Sequence, residues 1–171
     1  MQYYCFFLSK MTNKILNFSL KFLLQSIAIG ICLFLWSGSS GILVRHITGE
    51  SLGKQNSNDI GIDFNSFVLV VFVAPIFETF LCQWLIINQT YESYNGKYKE
   101  QIAILLSSIL FGLTHFYSFY YFLFATVTGV LLAISFCYFR ERTNWFSAFI
   151  YVFIIHSTSN LLIFIMKALN I

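Results

Sequence analysis

Four polar side chains in otherwise apolar surroundings carry the chemistry of this chain: Glu78, His115, His156 and Asn160. Of the seven acidic residues, Glu78 alone falls near the middle of a long apolar stretch. An ionised carboxylate at the centre of a bilayer costs about 3 kcal/mol on insertion scales and more by other measures. Glu78 must therefore face a protein interior or a wet cavity, or stay protonated. Of the three histidines, His115 and His156 also lie in apolar segments, whereas His46 does not. His156 and Asn160 are four residues apart and share one helix face, as do Phe111 and His115. Ser157 and Ser159 flank His156 on other faces. A carboxylate and an imidazole that converge can hold and deprotonate a water molecule. A second imidazole and a carboxamide N–H can stabilise the oxyanion of a tetrahedral intermediate. That combination is peptide hydrolysis. Glu78, His115 and His156 are also a legitimate zinc-ligand set, although no HExxH is present and each would come from a separate helix. At the level of residue types both arrangements stand.

The elements that must position these groups are membrane helices. The chain has 171 residues, 58% hydrophobic, 20% aromatic and only 10% charged. A soluble domain carries roughly 25% charged residues, so the bilayer is the natural solvent for so much apolar surface. Net charge is +3 with the basic residues scattered, which is not a nucleic-acid footprint. One proline and nine glycines exclude a linker-rich chain. Cys5, Cys32, Cys82 and Cys137 have apolar neighbours and no CxxC spacing, and read as small hydrophobic fillers. No small-residue cleavage site follows the first apolar run, so that run reads as retained.

A membrane helix needs about 20 apolar residues. That predicts an all-α, polytopic bundle of about five spans, near 16–36, 66–87, 101–117, 120–139 and 145–166, forming one membrane domain over residues 1–171. Ser37-Gly38-Ser39-Ser40-Gly41 is expected to break the first span. A polar segment with Arg45, Glu50, Lys54, Asp59 and Asp63 follows, and a second polar loop is expected from Asn88 to Glu100. Residues 101–139 contain no charge and are too long for one span, so a turn is placed in the aromatic run His115 to Tyr121. With the N-terminus in the cytoplasm, Lys10, Lys14, Lys21, Lys97, Lys99, Arg140 and Arg142 fall inside, and Arg45, Lys54 and Lys167 outside. This agrees with the positive-inside rule. His115 then lies near the outer end of its span while Glu78 and His156 lie near mid-depth, a mismatch left to helix tilt or shifted boundaries. Pro75, three residues before Glu78, reads either as an opening that admits water or as an ordinary membrane-helix kink.

Three motifs in order resemble the CAAX protease and bacteriocin-processing family, also called the Abi family of intramembrane proteases. Its pattern is EExxxR on one span, FxxxH on another and HxxxN on a later one. The chain has Glu78-Thr79-Phe80-Leu81-Cys82-Gln83, then Phe111-Gly112-Leu113-Thr114-His115, then His156-Ser157-Thr158-Ser159-Asn160. The resemblance covers residues 70–165. It implies that Glu78 and His115 activate water and that His156 and Asn160 form the oxyanion site; the motif chemistry favours a glutamate-dependent mechanism over a metal-dependent one. Thr79 and Gln83 replace the second glutamate and the arginine. Losing both charges keeps the buried charge balance, and the neutral pair, four residues apart, is expected to hydrogen-bond along the helix and support Glu78, as is Phe111.

The leading expectation is thus an intramembrane endopeptidase acting on membrane-associated proteins or peptides, in the inner (plasma) membrane of a bacterium, with no cofactor and no nucleic-acid partner. The alternative is a catalytically silent membrane scaffold or bacteriocin-immunity-type protein. A proton-coupled transporter is a third class, against which stands the lack of an inverted repeat.

Overall fold

The structure is a computed structural model that describes residues 19–49 and 61–170, apart from the side chain of Thr48. Cys5, Lys10, Lys14, Glu50, Lys54 and Asp59, and the start of the first span at residue 16, lie outside the described residues. The described residues form five helices and no strand. They are α1 (Leu20–Thr48), α2 (Phe64–Ser93), α3 (Lys99–Thr114), α4 (Phe119–Arg142) and α5 (Trp145–Ala168). All but α3 are long and apolar enough to cross a membrane. This is the all-α polytopic bundle that composition predicts.

Two boundaries differ from expectation. The serine-glycine run does not end the first helix, which continues for 29 residues to Thr48. Ser39 and Ser40 donate their hydroxyls to the carbonyls of Leu35 and Trp36, at 2.8 and 2.7 Å, so their polarity is absorbed within the helix. The helix instead stops at Gly49, with φ +73°, the left-handed conformation glycine adopts freely. Likewise Asn88 to Ser93 is helix and not loop. Thr90 bonds back to the Ile86 carbonyl, and Asn88 to the Glu92 carboxylate. The other starts and ends move by only a few residues. The split at the aromatic run holds, with α3 ending at Thr114 and α4 starting at Phe119. Ser118 caps α4 by accepting from the Tyr121 N–H, and Asn144 caps α5 by accepting from the Ser147 N–H. Asp63 caps α2 through the N–H and hydroxyl of Ser66, which hold its carboxyl below the ordinary carboxylate range.

α5 is the centre of the bundle. It packs along α1 on one side and against α4 and the π-helical parts of α2 on others, while α3 pairs with α4 and with the end of α2. The core is built from fully buried Leu132, Phe136 and Phe139 of α4 against Tyr151, Val152 and Ile155 of α5. Phe22 of α1 joins edge-on, 5.7 Å from both Phe139 and Tyr151, and the Ser19 N–H donates to the Tyr151 hydroxyl. Gly30 permits the α1–α5 approach, because a Cβ there would stand 2.7 Å from the Ile155 carbonyl and from Thr158. Gly129 does the same between α4 and α3, where a Cβ would stand 3.0 Å from Phe111 and Ser108.

One end of the bundle gathers the start of α1, the end of α2, the start of α3, the end of α4 and the start of α5. The Arg140 guanidinium lies 3.5 Å over the Tyr91 ring and 4.8 Å from the Trp145 ring, and Lys99 Nζ lies 4.7 Å from the centre of the same Tyr91 ring. Lys21, Lys97, Lys99, Arg140 and Arg142 therefore sit at this end, and Arg45 and Lys167 toward the opposite one.

Candidate active site

Glu78 lies between two stretches of π-helix, Leu69–Val73 and Thr79–Leu85, that interrupt α2. π-turns inside α-helices gather at functional sites and widen the backbone locally. Pro75 explains part of this. The Ala74 N–H donates to the Leu69 carbonyl, five residues back, and Pro75 has no N–H. The Val70 carbonyl is therefore left with neither its α nor its π donor. Asn160 of α5 supplies one, its Nδ2 donating to the Val70 oxygen at 2.9 Å.

His115 is the C-cap of α3, where no glycine ends the helix. The Phe111 carbonyl there accepts from the Thr114 hydroxyl at 2.8 Å and from His115 Nδ1 at 2.9 Å. A carbonyl only accepts, so the ring proton is on Nδ1 and Nε2 presents its lone pair. Nε2 is 3.8 Å from Glu78 Oε1. The ring is held between aromatic planes, with Phe111 stacked at 4.5 Å and Tyr121 at 6.3 Å. Phe111 also touches the His156 ring, 5.6 Å away, and so separates the two imidazoles. His156 Nε2 lies 3.4 Å from the other carboxylate oxygen of Glu78, Oε2. Glu78 keeps 24% of its side-chain exposure and His115 18%, but His156 only 6%, so the carboxylate is more open on the His115 side.

The depth mismatch is resolved by the length of α3. It has 16 residues, a rise of about 24 Å, and so ends inside the bundle and not at its far face. Glu78 is a similar distance, roughly 20 Å, from the joined end of α2. A short α3 thus brings a helix terminus level with the middle of its neighbour.

Glu78, His115 and His156 therefore come together, and Asn160 follows His156 one turn along α5. The supporting pair behaves differently from expectation. Thr79 and Gln83 are fully buried, but the Thr79 hydroxyl and both amide atoms of Gln83 have no hydrogen-bond partner, so they do not bond to each other. They lie in the π-helical stretch, whose wider turn does not keep α-helical neighbours in register. Two features had no sequence signal: the acceptor role of the Val70 carbonyl, and the contribution of α1. A cavity of about 660 Å³ opens beside the site, lined by Phe111, His115, His156 and Asn160, by Tyr121, Phe124 and Thr128 of α4, and by Leu33, Ser37, Gly38 and Gly41 of α1. Among the described residues no group of three or more His, Cys, Asp or Glu has the geometry to hold a metal ion. Cys82 and Cys137 are buried and unbridged, as fillers, while Cys32 is exposed.

Fold and site together define a polytopic helical membrane bundle that holds a carboxylate between two imidazoles. The model of the family described as Type II CAAX prenyl endopeptidase Rce1-like matches residues 62–162, more than half of the chain, and the chain belongs to that family. The match takes in Glu78, His115, His156 and Asn160 and stops short of α1. The family supports a protease in a membrane setting, acting on a peptide substrate. No curated protein and no solved structure matches the chain.

Proposed function

We propose that the protein is an intramembrane endopeptidase in which Glu78 and His115 activate water and His156 and Asn160 stabilise the oxyanion. The observation that carries this reading is the pair of imidazole Nε2 atoms facing opposite oxygens of one carboxylate, at 3.8 and 3.4 Å. The longer gap, on the side water can reach, is one that a single water bridges. Glu78 takes a proton from that water, while the His115 Nε2 lone pair orients it. The water oxygen bonds to the scissile carbonyl carbon, and the carbonyl oxygen becomes an oxyanion. His156 Nε2–H and the second amide hydrogen of Asn160, the one not given to Val70, donate to it. Collapse breaks the C–N bond, and Glu78 returns its proton to the leaving amine. The substrate is a membrane-associated protein or peptide, and the family's printed description makes a prenylated CAAX peptide the first to try. No step calls for a metal.

The test is hydrolysis by protein reconstituted in liposomes, with a prenylated CAAX peptide and an unprenylated apolar peptide offered separately. Glu78→Gln and His115→Ala are expected to abolish turnover, and His156→Ala to lower it by about 100- to 1000-fold, the worth of a buried oxyanion donor. Cleavage that persists in Glu78→Gln ends this mechanism. A strong chelator should leave the wild-type rate intact; loss of activity reversed by zinc would replace the water-activation scheme with a metal one. If the wild type cleaves nothing, the silent scaffold is the better reading.

A further inference from the structure

α1 carries three glycines in described positions before its cap, and they do different things. Gly30 is closed in by α5. At Gly38 and Gly41 a Cβ would meet nothing within 4 Å, and both residues line the cavity beside the site. Glycine is among the poorest helix formers, and neither position needs it for packing or for backbone conformation. What both positions do is leave room. The same cavity is lined by two side chains with buried polar atoms that have no partner: His156, 5% exposed, through Nδ1, and Thr128, 8% exposed, through its hydroxyl. The open wall on α1 thus faces Thr128 of α4 and His156 of α5 across the cavity.

Resting on the peptidase reading, we infer that Gly38 and Gly41 are specificity-determining residues: they set the size of the substrate side chain seated along α1, away from the scissile bond. Their distance from the site fixes which substrate residue that is. Gly30 lies against Ile155 and Thr158, which bracket His156. Gly38 is then about 12 Å, and Gly41 about 16 Å, farther along α1. A peptide in extended conformation advances about 3.3 Å per residue, so the two glycines meet residues about three to five positions from the cut. Ser37 from α1 and Asn160 and Ser159 from α5 line the path between and offer hydrogen bonds to an extended backbone.

The experiment uses the full chain in detergent micelles and a set of quenched twelve-residue peptides built on alanine, with one tryptophan moved through every position. Gly38→Ala, Gly38→Leu and Gly41→Leu are compared with the wild type, and the melting temperature of each confirms its fold. The wild type should accept tryptophan three to five residues from the cut. In Gly38→Leu and Gly41→Leu the ratio of kcat/KM for those peptides to that for the all-alanine peptide should fall at least tenfold, with Gly38→Ala between. A ratio unchanged by the leucine variants, or an equal loss for all peptides whatever their tryptophan position, overturns the inference; the second outcome would suit a lipid chain in the cavity. The same peptides are tested for their ability to raise the melting temperature in a Glu78→Gln background. If the wild type hydrolyses nothing but the size-dependent shift remains and is lost in Gly38→Leu, the peptidase reading fails and the size-selective wall stands. If hydrolysis proceeds without size dependence, only the wall fails.

Discussion

In the proposed mechanism Asn160 has two tasks, of which the bond to the Val70 carbonyl is the structural one. Its amide fills the vacancy that Pro75 creates at the Val70 carbonyl, ninety residues before Asn160. An unsatisfied buried polar group costs about 1–3 kcal/mol, so Asn160→Ala should lower stability by that much in chemical unfolding of the detergent-solubilised protein. Pro75→Ala restores an N–H to α2, and in that background Asn160→Ala should cost less than half as much. Activity should stay low in the double variant if the second amide hydrogen serves the oxyanion, and recover if Asn160 is only a clasp. Glu78, His115, His156 and Asn160 were legible as a set because ionisable and amide groups are rare in apolar spans. The Val70 link was not, because a backbone carbonyl leaves no mark on residue type. The expected Thr79–Gln83 hydrogen bond failed for a related reason: the i,i+4 rule assumes an α-helix, and these residues sit in a π-helical stretch.

At the scale of elements, the reading by charge and length worked where lipid alone sets the boundary. The charge-free stretch 101–139 correctly demanded a turn, and the structure puts it between Thr114 and Ser118. It failed at Ser37–Gly41, because serine and glycine break helices in water but are absorbed in a helix whose hydroxyls bond back to the preceding turn. The contact of α3 with α4 fixes His115, since Gly129 receives Phe111, and Phe111 stacks on the His115 ring. Gly129→Leu should therefore overpack that contact, at a cost of about 1–3 kcal/mol. It should lower turnover by more than its fall in melting temperature accounts for, with the KM for the cleaved peptide little changed. A loss confined to stability would show that the α3–α4 contact does not position the imidazole.

At the scale of the whole molecule, charge distribution and helix lengths organise the bundle together. The cluster of Tyr91, Lys99, Arg140 and Trp145 ties four helix ends at the more basic end. α3 starts from the tied end and rises only about 24 Å, whereas α4 and α5, with 24 residues each, rise about 36 Å. The hydrocarbon core of a bilayer is about 30 Å thick. The end of α3 at Thr114 therefore lies below the lipid surface that the longer helices reach, and residues 115–118 climb from it to the start of α4 at Phe119. For headgroups and water to reach the end of α3, the bilayer has to thin or dimple, at a fraction of a kcal/mol per Å. We predict that this deformation is the route by which water reaches Glu78 from the His115 side. The rate in proteoliposomes should then rise as acyl chains shorten from 22 to 14 carbons, by several-fold for a mismatch of about 6 Å, with the melting temperature nearly constant. A flat dependence would mean that water enters through the α1 cavity instead. A stunted helix makes the local thickness of the membrane a co-substrate in all but name, since the same protein would be fast in a thin bilayer and slow in a thick one.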